Sequence, residues 1–197
     1  MSIQLKSCEN SMQIDTLILP AAPQANNRKR FGEVDQPAPA LLPEEAVAWI
    51  DDLVQGGKKI CNVNISQPGD ALAAPELLFL LLDLLQIQHS DCPVKLTTIG
   101  LDAASLAQEL ADKHVTQVNL CVEAVDIDIL KKIYSWIRPG KKTVPLSEVI
   151  PFLLQEQKEA ITALKQAGIN VNIYTTIYPG INDHHMNTLA ETLVSWG

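Results

Sequence analysis

Apolar positions along this chain switch repeatedly between two rhythms. From Pro43 onward, Ala46, Ile50, Leu53 and Val54 recur at helical spacing and stop at Gly56-Gly57. Pro43-Glu44-Glu45 suits the first turn, where Pro loses no hydrogen bond and acids favour the positive end of the dipole. Lys59 to Ser66 then alternates as a strand does. The exchange repeats: a helix over about 75–88, a strand over 94–99, a helix over 103–113 and a strand over 115–123. A short helix near 126–137 and a longer one near 147–167 follow, the latter ended by Gly168. A strand over 169–177 and a helix from about 183 complete the series. Upstream, Ile14 to Leu19 reads as a first strand, and residues 1–13 as a flexible tail. Residues 20–42, with prolines, paired Asn and scattered charge, read as a long loop.

Strands alternating with helices imply a parallel sheet with right-handed crossovers. About five such strands suit an open doubly wound sheet or part of a barrel. Strands buried on both faces read as continuous apolar runs, whereas these carry one polar face each. Those faces hold Asn62, Asn64 and Ser66; Lys95 and Thr97; Gln117, Asn119, Cys121 and Glu123; and Asn170, Asn172, Tyr174 and Thr176. The opposite faces hold Val63, Leu96, Val118, Leu120, Val122, Val171 and Ile173, suited to packing on helices. The expectation is an α/β fold: a partial (βα) TIM-like barrel of about five parallel strands, helices outside, forming one domain over 14–197. Its polar concave side is either a ligand cavity or a solvated face.

At 197 residues the chain is long enough for one domain with a sizeable core. A net charge of -8 argues against nucleic acid, and Arg28-Lys29-Arg30 is too short to reverse that. The apolar run Leu77 to Leu85 is too short for a bilayer and is broken by Asp83. No signal peptide is visible, so a soluble, cytoplasmic protein without membrane contact is expected. Cys8, Cys61, Cys92 and Cys121 form neither a CxxC pair nor a disulfide framework.

Four segments sit at the carboxyl ends of strands, where βα folds place their sites. They are Gln67-Pro68-Gly69-Asp70-Ala71-Leu72-Ala73, Thr97-Thr98-Ile99-Gly100-Leu101, Glu123-Ala124-Val125-Asp126 and Tyr178-Pro179-Gly180-Ile181-Asn182-Asp183. In order and spacing they resemble the radical S-adenosylmethionine (SAM) family, specifically its nitrogenase-cofactor branch. That branch carries G-P-G-D-P-L-A, T-N-G-L, N-x-V-D and I-P-G-I-N-D in these places. Lys132 to Ile137, Gln157 and Gly168-Ile169 also match its pattern, so the resemblance covers roughly 14–197.

The resemblance implies a SAM site at Pro68, Gly69, Asp70, Thr97, Thr98, Asn119, Glu123, Thr176, Tyr178 and Ile181, with Pro68-Gly69-Asp70 meeting the amino group. Alternatively the segment is a tight turn with Asp70 capping the next helix. The departures are specific. The family binds a four-iron cluster through C-x-x-x-C-x-x-C after the first strand; here Leu19, Pro23 and Asn26 stand on those positions, and no cysteine lies between Cys8 and Cys61. The family's Asn residues become Ile99 and Glu123, and its fifth-strand Lys and Asn become Asn172 and Tyr174.

Pairing of Glu123 with Lys95 across the sheet is expected, because an unpaired buried charge is costly. His184-His185 on a helix start makes a poor metal chelate, so no metal site is expected; Asn182 and Asp183 read as the helix cap. Arg28-Lys29-Arg30 is either a solvated loop or, folded over the barrel mouth, a partner for an anion. Three functions follow: a cluster-free binding or regulatory scaffold in metallocofactor maturation, an active SAM-dependent radical enzyme with unusual cluster ligands, or a structural subunit. The implied partners are a small molecule or another protein, with an oligomer through the open edge of the fifth strand.

Overall fold

The computed structural model describes residues 12–31, 39–140 and 144–197. Its elements run β1 (Gln13–Ile14), β2 (Leu17–Leu19), β3 (Asn27–Lys29), α1 (Pro43–Gln55), β4 (Lys59–Ile60), β5 (Val63–Ile65) and α2 (Pro75–Gln88). Then come β6 (Val94–Thr98), α3 (Ala103–Asp112), β7 (Val115–Cys121), α4 (Ile127–Ile133), β8 (Tyr134–Ile137), α5 (Leu146–Gln166), β9 (Asn170–Tyr174), a short 3-10 turn (Asp183–His185) and α6 (Met186–Trp196). The main sheet is parallel throughout, ordered β2-β5-β6-β7-β9. It is the partial βα barrel that the strand–helix alternation predicts.

Local chemistry explains the main boundaries. Pro43 opens α1, and Glu45 reaches back to accept from the Leu42 N–H at 2.8 Å. The Asp126 carboxylate caps α4 by accepting from the Asp128 and Ile129 N–H groups at 2.8 and 2.9 Å. α2 is the most apolar helix; Leu78, Leu81, Leu82 and Leu85 bury one face beneath the sheet. Val63, Ile65, Leu96 and Val118 meet that layer from the strands, together with Ala107, Leu110, Ala160 and Leu164 of α3 and α5.

Three expectations change. The segment 126–137 is not one helix: α4 stops at Ile133, and Tyr134–Ile137 turns into β8. The cause is β3, which the loop 20–42 supplies as an antiparallel partner pairing Arg28 with Trp136 and Lys29 with Tyr134. The strand expected over 169–177 leaves the sheet after Tyr174, because the Thr175 hydroxyl bonds the Val122 carbonyl at 2.7 Å instead of continuing the ladder. The first two strands are each broken in two, yet the Cys61 N–H bonds the Ile14 carbonyl and the Leu17 N–H the Asn62 carbonyl, both at 2.9 Å, so β1–β4 continues β2–β5. The tail expected over 1–13 lies, up to residue 11, outside the described residues, and Gln13 already belongs to β1. No helix among the described residues is long and apolar enough to cross a membrane.

Candidate functional site

The concave face shows how its polar rows are satisfied. Thr97 donates to Asn64 Oδ1 at 3.1 Å, Asn119 to Thr97 Oγ1 at 3.2 Å, and Gln117 to Asn119 Oδ1 at 2.7 Å. Asn64, Thr97, Asn119 and Gln117 therefore form a lateral ladder of their own. Thr98 does not share this face. One residue further along β6, it turns to the helix side, is 2% exposed, and donates to Asp70 Oδ1 at 2.8 Å.

At the carboxyl ends of the strands, two buried carboxylates organise the mouth. Asp70 follows β5. One oxygen accepts from the Leu72 N–H (2.9 Å) and the Thr98 hydroxyl; the other accepts from the Ile99 N–H at 2.7 Å. Burial pushes its carboxyl up, and these donors, with the Asn26 amide, pull the other way. The turn before it is closed by the chain itself. Gly69 N–H bonds the Ala22 carbonyl at 2.7 Å, Asp70 N–H the Gln24 carbonyl at 2.8 Å, and Ala22 N–H the Gln67 carbonyl at 2.8 Å. A Cβ on Gly69 would lie 2.0 Å from the Gln24 carbonyl oxygen, so only glycine admits this approach. Asp70 thus staples the loops after β2, β5 and β6. It closes a tight turn but does not cap the next helix, since α2 starts at Pro75 behind Ala74 with no side-chain cap, and its oxygens are engaged within the chain.

Glu123, just beyond β7, is 1% exposed. It pairs with Lys29, not with Lys95: Lys95 sits opposite Gln117, well short of the mouth. Lys29 arrives from β3 across the barrel end. Burial opposes its charge, but the Glu123 carboxylate outweighs that and the Lys29 pKa rises on balance. The second Glu123 oxygen accepts from the Thr176 N–H at 2.7 Å. The side chain of Asn182, fully buried, does not cap the helix as expected: it donates to the Glu123 and Thr176 carbonyls at 2.8 and 2.9 Å and accepts from the Tyr178 N–H at 2.7 Å. It fixes the loop carrying Thr176 and Tyr178 against β7, while Ile181 packs half-buried on the core beneath α4 and α5. The Phe31 ring lies 5.6 Å from the Tyr178 ring. The segment Asn26–Phe31 is thereby strapped over the mouth, held also by Arg30 N–H to Ile133 O (2.8 Å) and Arg138 N–H to Asn26 O (2.7 Å).

Beneath the strap lie Cys121 and Tyr134. Burial pushes the Cys121 thiol up to about 11, although Lys29 pulls it down. Burial also raises the Tyr134 phenol well above its ordinary range. The Tyr134 hydroxyl and Gln157 Oε1 are buried without a hydrogen-bond partner among the described residues, while Gln157 Nε2 donates to the Ile99 and Cys121 carbonyls at 3.0 and 3.1 Å. His184 is exposed beside Asp183, and His185 Nε2 accepts from the Val125 N–H at 3.3 Å. No group of three or more metal-binding side chains occurs among the described residues.

The Radical SAM superfamily model matches residues 25–193. The chain belongs to the radical SAM superfamily. It is 32% identical over 190 residues to the FeMo cofactor biosynthesis protein NifB of Chlorobaculum tepidum, covering 91% of this chain and 45% of that protein. For the NifB of Klebsiella pneumoniae the identity is 30%, covering 91% and 40%. The chain thus spans less than half the length of either relative. Among solved structures, methylornithine synthase (PylB) superposes with a TM-score of 0.62 at 16% identity, covering 92% of this chain and 50% of that one. An anSMEcpe structure with bound AdoMet gives 0.63 at 17% identity, covering 92% and 48%. At these identities the two structures support the radical SAM fold.

Radical SAM clusters are held by thiolates. Of the three positions that resemble the family's cluster ligands, Leu19 is wholly buried in the core, Pro23 is exposed, and Asn26 accepts from Asn27 while supporting Asp70. None of the three fits an iron–sulfur cluster. Sequence reasoning placed Glu123, Thr176 and Tyr178 at one mouth, and the structure joins them. It missed the partner of Glu123, the bridging role of Asn182 and the buried Tyr134. The basic triplet was the one signal for Lys29; nothing local marks Asn182 or Tyr134 as more than a cap and a core residue.

Proposed function

We propose that this radical SAM domain works without a four-iron cluster, as a cytoplasmic binding or regulatory module in metallocofactor maturation. The observation that carries the reading is the loop after β2. Where the family places three cysteines it offers Leu19, Pro23 and Asn26, it closes onto Gly69 and Asp70, and it sends Lys29 to Glu123. The relatives' role in FeMo cofactor biosynthesis supplies the pathway class, and the partner on this reading is a small molecule or a protein of that assembly. One fold hosts many functions, so the loop chemistry, not the fold, is the argument.

The test is anaerobic reconstitution with iron and sulfide, followed by iron counting and a visible spectrum with and without SAM. The expected result is iron no higher than in a sulfide-free control and no broad band near ~400 nm. Stoichiometric cluster with a SAM-perturbed spectrum, abolished by Cys121→Ser, would overturn the reading in favour of an active enzyme with unusual ligands.

A further inference from the structure

α2 carries apolar side chains nearly all round. A helix built in this way is buried on every side or meets something on its second face. Leu78, Leu81, Leu82 and Leu85 take the core. Leu77, Leu80, Leu84 and Ile87 recur at i, i+3, i+7 and i+10, which lines them along a second face over about 15 Å of helix. Leu80 is 43% and Ile87 78% exposed, and Leu77 and Leu84 are half-buried. α3, packed on the same side of the sheet, shows the ordinary pattern: its Ser105, Gln108, Glu109 and Asp112 are the exposed positions.

The rim of this stripe is acidic. On α2, Glu76 and Asp83 stand at i and i+7 and share a flank, where Lys113 at the end of α3 pairs with Asp83. α1 packs along α2. Its Glu44 and Asp51 share a flank in the same way, and Asp51 meets His89, just past α2, at 2.9 Å. Neither α1 nor α2 contains a Lys or Arg. Lys58 and Lys59 lie beyond the end of α1, in a cleft with Val54 and His89. An exposed apolar stripe with a polar rim marks a protein contact, and the sign of the rim selects the partner. A second copy would set acids against acids, on a chain whose net charge is -8.

We propose that the outer stripe of α2, with its acidic rim, is a docking site for a basic amphipathic helix of a partner protein. The apolar face of that helix packs on Leu77, Leu80, Leu84 and Ile87, and Lys or Arg at the edges of the face meet the acids on either rim. The site lies on the outer helix layer, so it stands whether or not the mouth holds a cluster.

The test is fluorescence anisotropy on the full chain with a labelled helical peptide, Leu at the matching spacing and Lys elsewhere on its surface. One control peptide carries Glu in place of Lys; another scrambles the sequence so that no apolar face forms. The Lys peptide should bind, weaken as salt rises, and slow amide exchange in α2 but not in β9. Leu80→Gln with Ile87→Gln should weaken binding at least about ten-fold. Glu44→Gln with Glu76→Gln should weaken it about two- to five-fold. Phe152→Gln, on α5 and 44% exposed, should leave it unchanged. Should the double α2 variant melt early, Ile87→Gln alone, at the most exposed position of the stripe, carries the same comparison. No binding of the Lys peptide, equal binding of either control, or indifference to the α2 substitutions would overturn the proposal. So would a chain that dimerises until the α2 substitutions abolish it, since a second copy would then be the occupant.

Discussion

Asp70 and Glu123 are both buried carboxylates at the same end of the same sheet, and they are stabilised in opposite ways. Asp70, 4% exposed, meets no cation among the described residues; its oxygens accept from the Leu72 and Ile99 amides and the Thr98 hydroxyl, with the Asn26 side chain adding a donor from the loop after β2. Glu123, 1% exposed, meets one amide and one lysine carried by a strap from elsewhere in the chain. Neutral donors built into the scaffold stay in place whenever the scaffold is folded, although burial still pushes the Asp70 carboxyl up. A lysine on a strap holds a charge only while the strap is docked. The first arrangement is a staple, and the second is a latch.

The largest effect should come from Asp70→Ala. It strands the Leu72 and Ile99 amides and the Thr98 hydroxyl in a buried place, at ~1–3 kcal/mol each when no water replaces the acceptor. A loss of about 4 kcal/mol is expected by urea unfolding. A loss below about 1 kcal/mol would mean that the three loops do not depend on this carboxylate, and the contrast with Glu123 would collapse.

That contrast shows what the sequence could and could not convey. The order of strands and helices was legible because each element carries its own period: Leu78, Leu81, Leu82 and Leu85 mark α2 without reference to any other segment. Thr97 and Asn119 were legible as concave neighbours for the same reason. Thr98 was placed at the site by its motif, although strand parity turns it toward Asp70. Tyr134–Ile137 looked helical because β8 exists only through β3, a strand whose three residues, Asn27-Arg28-Lys29, are all polar. The Lys29–Glu123 pair joins positions far apart in sequence, and Lys95 appeared the natural partner until the register set it opposite Gln117. Contacts made by a strap across a barrel end leave no periodic trace.

Lys29→Met should have the intermediate effect. It removes the charge while keeping much of the stem, so Glu123 is left buried and unpaired; a loss of about 2–4 kcal/mol is expected. The Arg30 amide, bonded to Ile133, should exchange faster, and protease should reach the strap. An unchanged Arg30 exchange rate would show that β3–β8 pairing and the Phe31–Tyr178 contact hold the strap by themselves. The unsubstituted protein offers the same experiment through pH. Folding raises Lys29 above its ordinary 10.5. Its contribution is therefore complete below that value and is lost as pH rises through the higher folded one. Strap release should appear only above about pH 10.5.

The smallest effect concerns reactivity rather than stability. Cys121 lies under the strap with its thiol raised to about 11, burial being the main cause. Because the thiolate is the nucleophile, iodoacetamide at pH 8 should modify it about a hundred-fold more slowly than an ordinary exposed thiol. Lys29→Met exerts two opposite pulls on this group. Losing the lysine charge raises the thiol further, whereas lifting the strap exposes it to water and lowers it. Burial outranks the lysine among the causes, so the variant should react faster. A slower reaction would show that the strap stays closed without its ion pair, making Glu123 a second staple rather than a latch.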